Sequence, residues 1–113
     1  MNPNDVTYIK HILDAINDIE SSIKGLSKEK FQKSKDIRDA CVRRLEIIGE
    51  AVKNISQETK AKYPLIEWKK IAGTRDMIIH SYFNVDLDVI WGIIKKDIFV
   101  LEKQMLKIKR ELE

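Results

Sequence analysis

The fold is decided by residues 87–112, LDVIWGIIKKDIFVLEKQMLKIKREL. The apolar residues of this stretch recur in alternating steps of four and three positions. Because an α-helix has about 3.6 residues per turn, side chains at these steps lie along one seam. The residues of the seam are Leu87, Trp91, Ile94, Ile98, Leu101, Met105, Ile108 and Leu112. The stretch therefore predicts a long helix that packs against other helices, beginning after the cap candidates Asn84 and Asp86.

Helical spacing also runs through the N-terminal part of the chain. A first helix is predicted over residues 3–24, with Asn2 or Asn4 as its N-terminal cap and Gly25 just past its end. Its apolar positions are Val6, Ile9, Leu13, Ile16, Ile19 and Ile23. This pattern predicts a helix with one buried face.

A second helix is predicted after a short connector that contains Leu26 and Phe31. Ser34 is its cap candidate, and the helix reaches toward Tyr63. Its apolar stripe consists of Ile37, Cys41, Leu45, Ile48, Val52 and Ile55. Gly49 falls inside this helix, where glycine costs about 1 kcal/mol relative to alanine. We expect Gly49 to be there because another backbone approaches closely.

A third helical segment follows Pro64 and contains Trp68, Ile71 and Ala72. No part of the chain shows the sustained alternation of a β-strand. The connections between the helical segments are short, which favours antiparallel neighbours. The sequence therefore predicts an all-α fold, an up-and-down bundle of four to five helices that forms one domain over residues 1–113.

Composition and charge limit the classes of protein to which the chain can belong. The chain has 113 residues, of which 43% are hydrophobic and 35% charged, a balance typical of globular proteins. A core of this size leaves apolar surface uncovered, so a partner subunit is expected. The formal net charge is +3, which tolerates a nucleic-acid partner without requiring one. Lysine doublets such as Lys69-Lys70 are interpreted as solvated helix surface.

Several other classes are excluded by simple counts. Cys41 is the only cysteine, so the chain has no internal disulfide and no cysteine-rich zinc site. Its place in an apolar stripe indicates a buried thiol rather than a nucleophile. The N-terminus lacks the pattern of a signal peptide, and the longest apolar run, residues 89–94, is too short to span a bilayer. We therefore expect a cytoplasmic protein with no membrane partner.

The candidate site lies in residues 75–82, RDMIIHSY. Arg75 can clamp a phosphate with its planar fork of donors. His80 is the side chain type whose unperturbed pKa lies nearest neutrality, so it suits proton transfer. Arg75 and His80 together fit phosphodiester chemistry without a metal.

Helical geometry separates these residues. At about 100° per residue, Arg75 and Tyr82 fall in the apolar sector of their helix, whereas His80 lies about 140° around from Arg75. His80 is instead beside Asp76 at the i, i+4 spacing, where the carboxylate can orient it or raise its pKa. On one straight helix Arg75 and His80 therefore do not converge. Either the helix ends or bends near His80, or two copies of the helix face each other in a two-fold dimer and each supplies half of a composite site.

A structural interpretation of the same residues stays open. Arg75 can instead form a buried ion pair with Glu46 or Glu50, with His80 and Tyr82 as boundary residues. Glu46 and Glu50 could also bind a cation, although a helix surface is the more usual role of such a pair. The chain has no His-Glu-x-x-His, no Glu-x-x-His and no phosphate-binding glycine loop, so no metal site is predicted.

The string Arg75-x4-His80-x-Tyr82 resembles the signature of the HEPN superfamily (higher eukaryotes and prokaryotes nucleotide-binding), in particular its HepT-like toxin branch. Further matches follow in order along the chain. They are His11 to Ile16, Arg44 to Ala51, Trp68 to Gly73, and Val85-Asp86 with Val89 and Trp91. Ordered agreement of this kind is more specific than the motif alone.

The resemblance implies a helical homodimer whose two motifs meet in a cleft, acting as a metal-independent ribonuclease toxin of a type VII-like toxin–antitoxin pair. Arg75 would bind and polarise the scissile phosphate, and His80 would act as general base or acid on the ribose 2′-hydroxyl and the leaving oxygen. The substrate would be RNA, because the 2′-hydroxyl supplies the nucleophile, and no DNA partner is expected. No cofactor is implied.

The resemblance also implies a mode of control. The antitoxin of such pairs is a small MntA-like nucleotidyltransferase that attaches adenylate to the motif tyrosine, which is Tyr82 here. The added phosphate would compete with RNA for Arg75 and fill the cleft. Family members often carry asparagine where this chain has Asp76, so the acid is expected to weaken RNA binding while tuning His80. The alternative is a non-catalytic nucleotide-binding or scaffold subunit of a nucleotidyltransferase complex.

Overall fold

The computed structural model describes residues 2–80 and 86–113, with only the backbone for residues 79 and 80. Within these residues every regular element is helical, which confirms the all-α prediction. The helices are α1 (Pro3–Ile23), α2 (Lys28–Lys33), α3 (Lys35–Asn54), α4 (Gln57–Lys62), α5 (Trp68–His80), α6 (Leu87–Gly92) and α7 (Ile98–Leu112). A π-helical segment, Ile93–Asp97, joins α6 to α7.

Helix α1 closely follows its prediction. Of the two cap candidates, Asn2 is the cap, and its Oδ1 accepts a hydrogen bond of 2.9 Å from the backbone N–H of Asn4. Gly25 lies just past the end of the helix with φ of +72°, a backbone conformation that side-chain-bearing residues rarely adopt. The chain therefore turns sharply after α1.

The connector after α1 is itself helical, contrary to prediction. Ser27 caps α2 by accepting a 3.1 Å hydrogen bond from the backbone N–H of Lys30. The helix is only six residues long, so its single buried side chain, Phe31, gives no periodic signal. Ser34 caps α3 as expected, accepting a 3.4 Å hydrogen bond from the N–H of Ile37.

The prediction that the second helix reaches toward Tyr63 is wrong. Helix α3 ends at Asn54, Ile55 is extended, and Ser56 caps the separate helix α4. The cause is the fully buried carboxylate of Asp5 in α1. It accepts hydrogen bonds from the backbone N–H of Ser56 at 2.9 Å, the Ser56 hydroxyl at 2.6 Å and the Thr59 hydroxyl at 2.6 Å. A long-range contact thus overrides the local helical pattern.

The core lies between α1, α3 and the last helix, and α5 packs mainly on α3. Cys41 is fully buried within it, and burial raises the pKa of its thiol to about 11, as expected for a structural cysteine. In the last helix Ile90 is fully buried while Trp91 is only half-buried. The predicted seam contains Trp91, so the buried position is shifted by one residue. The wide turn of the π segment explains this shift, because it adds about one residue to the predicted repeat.

None of the helices in the described ranges combines the length and apolar character needed to cross a membrane.

Candidate active site

The position of Arg75 is set by a close crossing of two helices. Helix α5 passes α3 at Gly49, and a Cβ atom added there would lie 2.6 Å from the Arg75 Cβ and 3.4 Å from the Arg75 backbone nitrogen. Real Cβ atoms do not approach this closely, so only glycine fits at position 49 without displacing α5. The expectation that another backbone approaches Gly49 is confirmed, and the approaching residue is Arg75.

Arg75 is ion-paired but accessible. Its Nε lies 3.1 Å from Glu50 Oε2, and its Nη1 lies 3.6 Å from Asp76 Oδ1. Glu46, the other acid considered, lies 3.7 Å from Arg43 instead. The Arg75 side chain is 31% exposed and that of Glu50 is 55% exposed. The pair is therefore not the buried one of the structural interpretation, and a ligand can reach the guanidinium from solvent.

Asp76 extends this set of charges toward α3. Its Oδ1 lies 3.6 Å from Lys53 Nζ as well as 3.6 Å from Arg75. Glu50, Arg75, Asp76 and Lys53 thus form a row of alternating charges across α3 and α5. Each acid in this row balances a cation that is otherwise available to an anionic ligand.

The remaining predicted site residues lie at the edge of what the structure describes. His80 is the last residue of α5, and its side chain is outside the described part of the chain. Tyr82 lies wholly outside the described residues. The pairing of Asp76 with His80, and the approach of Tyr82 to Arg75, therefore stay predictions.

Arg75 also borders a cleft of about 230 Å³ between α1, α3 and α5. Helix α1 contributes Tyr8 and His11, whose ring centroids lie 6.3 Å apart with the planes at 81°, an edge-to-face arrangement. The cleft is lined by Tyr8, His11, Arg43, Glu46, Ile47, Glu50, Ala51, Asn54 and Arg75. It combines cations, carboxylates and a titratable ring, the groups needed to bind a phosphorylated ligand and to move a proton.

A second groove, of about 580 Å³, lies on the Lys53 side of α5. Four lysines line it, from α3, α4 and α5, together with Gln57, Trp68 and Glu67, whose Oε2 lies 3.5 Å from Lys70 Nζ. The lysines are Lys53, Lys60, Lys69 and Lys70. Because Lys53 also belongs to the charge row, this lysine groove begins beside the Arg75 site.

Two parts of the site were missed from the sequence. Lys69 and Lys70 are exposed, as the sequence predicts, but the doublet does not reveal that α3 and α4 add Lys53 and Lys60 to the same groove. His11 was noted only within the first helix. A usable signal was Gly49: if it marks a helix crossing, residues one turn away on α3, such as Glu46 and Lys53, flank the incoming helix.

No group of three or more histidine, cysteine, aspartate and glutamate residues among residues 2–80 and 86–113 is arranged to hold a metal ion.

Comparison with known proteins places the chain in a family. Residues 12–108 match the family described as Ribonuclease HepT-like, a span that starts inside α1 and ends inside α7. The chain belongs to the ribonuclease HepT-like family. The resemblance inferred from residues 75–82 is thereby confirmed at the level of the family.

Relatives of this HepT-like chain are similar over nearly all of it. A protein of Caldanaerobacter subterraneus subsp. tengcongensis named "Putative RNase TTE0752" is 46% identical over 101 residues, covering 89% of this chain and 90% of the relative. A Thermococcus cleftensis protein named "Probable ribonuclease HepT" is 40% identical over 103 residues, covering 91% and 94%.

A longer relative also matches. The Methanocaldococcus jannaschii protein named "Gamma-glutamylcyclotransferase and putative RNase MJ0434" is 46% identical over 106 residues, which cover 94% of this chain but 48% of that protein. This HepT-like chain therefore spans about half the length of that relative. No solved structure matches the chain.

Proposed function

We propose that this chain is a metal-independent endoribonuclease in which Arg75 binds the scissile phosphate and His80 transfers a proton. The observation that carries the proposal is the placement of Arg75, whose backbone is fixed against Gly49 while its guanidinium is accessible at the edge of a cleft. Membership in a family named for a ribonuclease supports the reaction type. Cytoplasmic RNA is the expected substrate.

The chemistry needs few protein groups. The guanidinium of Arg75 would neutralise the phosphate as negative charge develops on its oxygens. The ribose 2′-oxygen loses its proton and attacks phosphorus, and the bond from phosphorus to the 5′-oxygen breaks. The products are a 2′,3′-cyclic phosphate and a 5′-hydroxyl. One proton has been removed from the 2′-oxygen and one has been delivered to the 5′-oxygen. His80 carries at least one of these transfers.

In the protein without RNA, Arg75 is already paired with Glu50 at 3.1 Å and with Asp76 at 3.6 Å. RNA therefore has to displace these acids. Both carboxylates are more than half exposed, so water can solvate them once the phosphate has taken their place. The exchange costs little, because an exposed ion pair is worth about 0 to 1 kcal/mol. Glu50 and Asp76 thus compete with the phosphate for Arg75, but only weakly.

The lysine groove supports RNA as the substrate. Its four lysines continue the positive charge away from Arg75 and can follow a sugar–phosphate backbone. Gln57 adds a hydrogen-bonding side chain between them. The net charge of +3 is too small to steer RNA by itself, so a local concentration of lysines beside the site is the relevant feature.

We propose that the active form is a homodimer. An apolar groove of about 630 Å³ lies between α3, α5 and the last helix. Large apolar side chains in it are exposed, among them Leu65 at 93%, Met77 at 41% and Val100 at 55%. A second copy of the chain would cover them. It would also bring a second Arg75 and His80 near the first pair. Arg75 of one protomer would then lie close to His80 of the other, a convergence that one straight helix does not allow.

We further propose that the chain is a toxin neutralised by an MntA-like nucleotidyltransferase that adenylylates Tyr82. The nearness of Tyr82 to Arg75 along the chain supports this assignment, because the adenylate phosphate would then be within reach of the guanidinium. Intact-mass analysis after co-expression with such an enzyme tests it. An adenylate increment that persists in Tyr82→Phe would contradict the assignment.

The ribonuclease proposal is tested with purified protein and a labelled single-stranded RNA in the presence of EDTA. Wild type is expected to cleave, while Arg75→Ala and His80→Ala lose cleavage by at least about 100-fold. Lys103→Ala, an exposed change on α7, is the control for a lost positive charge. Cleavage by His80→Ala at the wild-type rate would refute the role of His80.

A binding or scaffold role in a nucleotidyltransferase complex is the second candidate. The Arg75 cleft favours it, because two arginines and an edge-to-face aromatic pair could hold a nucleotide without cleaving RNA. This role predicts a tight complex with the nucleotidyltransferase and no RNA turnover by the isolated chain.

A further inference from the structure

We propose that His11 is a second catalytic residue, which protonates the leaving 5′-oxygen while His80 accepts the proton of the 2′-hydroxyl. The proposal rests on the ribonuclease function proposed above and assigns the second of its two proton transfers. Its basis is that His11 on α1 and Arg75 on α5 line the same cleft.

The reaction needs two proton-transfer groups, and the chain has two histidines. Imidazole is the only side chain that changes charge near neutral pH without perturbation, so it can give or take a proton at little cost. Arg75 stays protonated at any physiological pH and cannot fill the second role. Cys41 is fully buried and is likewise unsuitable. His11 is the other imidazole of the chain, and it lines the cleft that contains Arg75.

The backbone of α1 holds His11 in a fixed place. Ile9 and Ile12 on either side are fully buried in the core, whereas His11 itself is exposed. The Tyr8 ring, one turn earlier, meets the imidazole edge to face, with the ring centroids 6.3 Å apart. An accessible imidazole on an anchored helix is the arrangement that a general acid requires.

The charged residues that line the cleft together with His11 suit the role of acid. From α3 they are Arg43, Glu46 and Glu50, and from α5 Arg75, with the Tyr8 phenol on α1 itself. The two carboxylates offset the two guanidinium groups, so a protonated imidazole does not enter an uncompensated positive site.

The cleft has a volume of about 230 Å³, smaller than the roughly 300–1,000 Å³ of pockets that enclose whole small molecules. It is therefore suited to hold part of a longer strand rather than to enclose a free ligand. With the phosphate at Arg75, the groups beside it would face the α1 side of the cleft, which contains His11.

The test compares His11→Gln with wild type on two RNAs, one normal and one with sulfur in place of the 5′-bridging oxygen at the cleavage site. On normal RNA we expect kcat to fall by about 100-fold or more with KM little changed, and the alkaline limb of the pH–rate profile to disappear. On the sulfur substrate we expect nearly wild-type rates, because a thiolate leaves without protonation. His80→Ala should be slow on both.

Asn17→Ala, an exposed neutral change on α1, is the matched control and should leave both rates unchanged. Equal unfolding midpoints for His11→Gln and wild type would show that the fold is retained. Normal cleavage by His11→Gln, or a defect that the sulfur substrate does not relieve, overturns the role of His11 while leaving the ribonuclease function intact. Failure of wild type to cleave any RNA overturns both.

Discussion

Gly49 and Arg75 are in contact where α3 and α5 cross, at a separation that leaves no room for a methyl group. A Cβ atom at position 49 would lie 2.6 Å from the Cβ of Arg75, which is the base of the side chain and cannot rotate away. The placement of the candidate phosphate-binding group therefore depends on the absence of a side chain on the neighbouring helix.

Gly49→Ala is expected to push α5 away from α3. Alanine gains up to about 1 kcal/mol in helix propensity, but the overlap with Arg75 should outweigh it and lower the free energy of unfolding by about 1 to 3 kcal/mol. RNA cleavage should fall as well, since Arg75 moves with α5. Urea denaturation and initial cleavage rates measure the two effects. Gly92→Ala is the control, because nothing lies within 4 Å of its added Cβ, and should not destabilise.

Glu50→Gln is expected to tighten RNA binding. The change removes the carboxylate that lies 3.1 Å from Arg75 Nε and competes with a phosphate for the guanidinium. Because the pair is largely exposed, the free energy of unfolding should change by no more than about 1 kcal/mol. Fluorescence anisotropy with a non-cleavable RNA at fixed salt measures the affinity. Glu29→Gln removes a similar exposed ion pair with Lys33 and should leave the affinity unchanged; weaker binding by Glu50→Gln would show that Glu50 positions Arg75 for RNA.

Asp5→Asn is expected to destabilise the fold in a pH-dependent way. Burial opposes ionisation of Asp5, but hydrogen bonds from Ser56 and Thr59 outweigh it and hold the pKa below its ordinary value of 3.8. A carboxylate with a lowered folded-state pKa contributes stability above its ordinary pKa and loses it as the pH falls through the folded value. The variant should lose about 1 to 3 kcal/mol at pH 7.

The stability difference between Asp5→Asn and wild type should then shrink below about pH 4. Urea denaturation across this pH range tests it, with Asp14→Asn, an exposed position on the same helix, as the control. A difference that is constant with pH would mean that the ionised carboxylate is not what stabilises the corner.

The lysine groove predicts a specific change in salt dependence. Each phosphate contact on a single strand contributes about 0.7 to the slope of log K against log salt concentration. Replacing Lys53 and Lys69 together by glutamine should reduce the magnitude of that slope by about 1.4. Replacing Lys103 and Lys107 on α7 removes the same charge outside the groove. An equal loss of slope in both double variants would assign the effect to overall charge.

The sequence predicted the elements whose apolar spacing is long and regular. Helix α1, the start of α3 and the last helix are where the spacing and the capping residues place them. The break at Ile55 could not be predicted, because the next residue, Ser56, is held by a carboxylate 51 positions before it in the chain. The π segment was not predicted either, because its apolar residues continue a seam that an unbroken α-helix would also satisfy.

For the candidate site, the sequence supplied the residues of one helix and left out their surroundings. Arg75 was identified from its own motif, and Gly49 was correctly expected to lie at a close approach. Nothing in the sequence joined these two predictions, because the contact depends on how α5 crosses α3. The same holds for His11 and Lys53, which become part of the site only when three helices pack together.

The link from Asp5 to Ser56 also constrains the order in which the chain can fold. The carboxylate leaves the ribosome 51 residues before its hydrogen-bonding partner, so the link closes a large loop and forms slowly compared with any single helix. Because this link joins the first turn of α1 to the start of α4, the corner after α3 is complete only once α1 has docked.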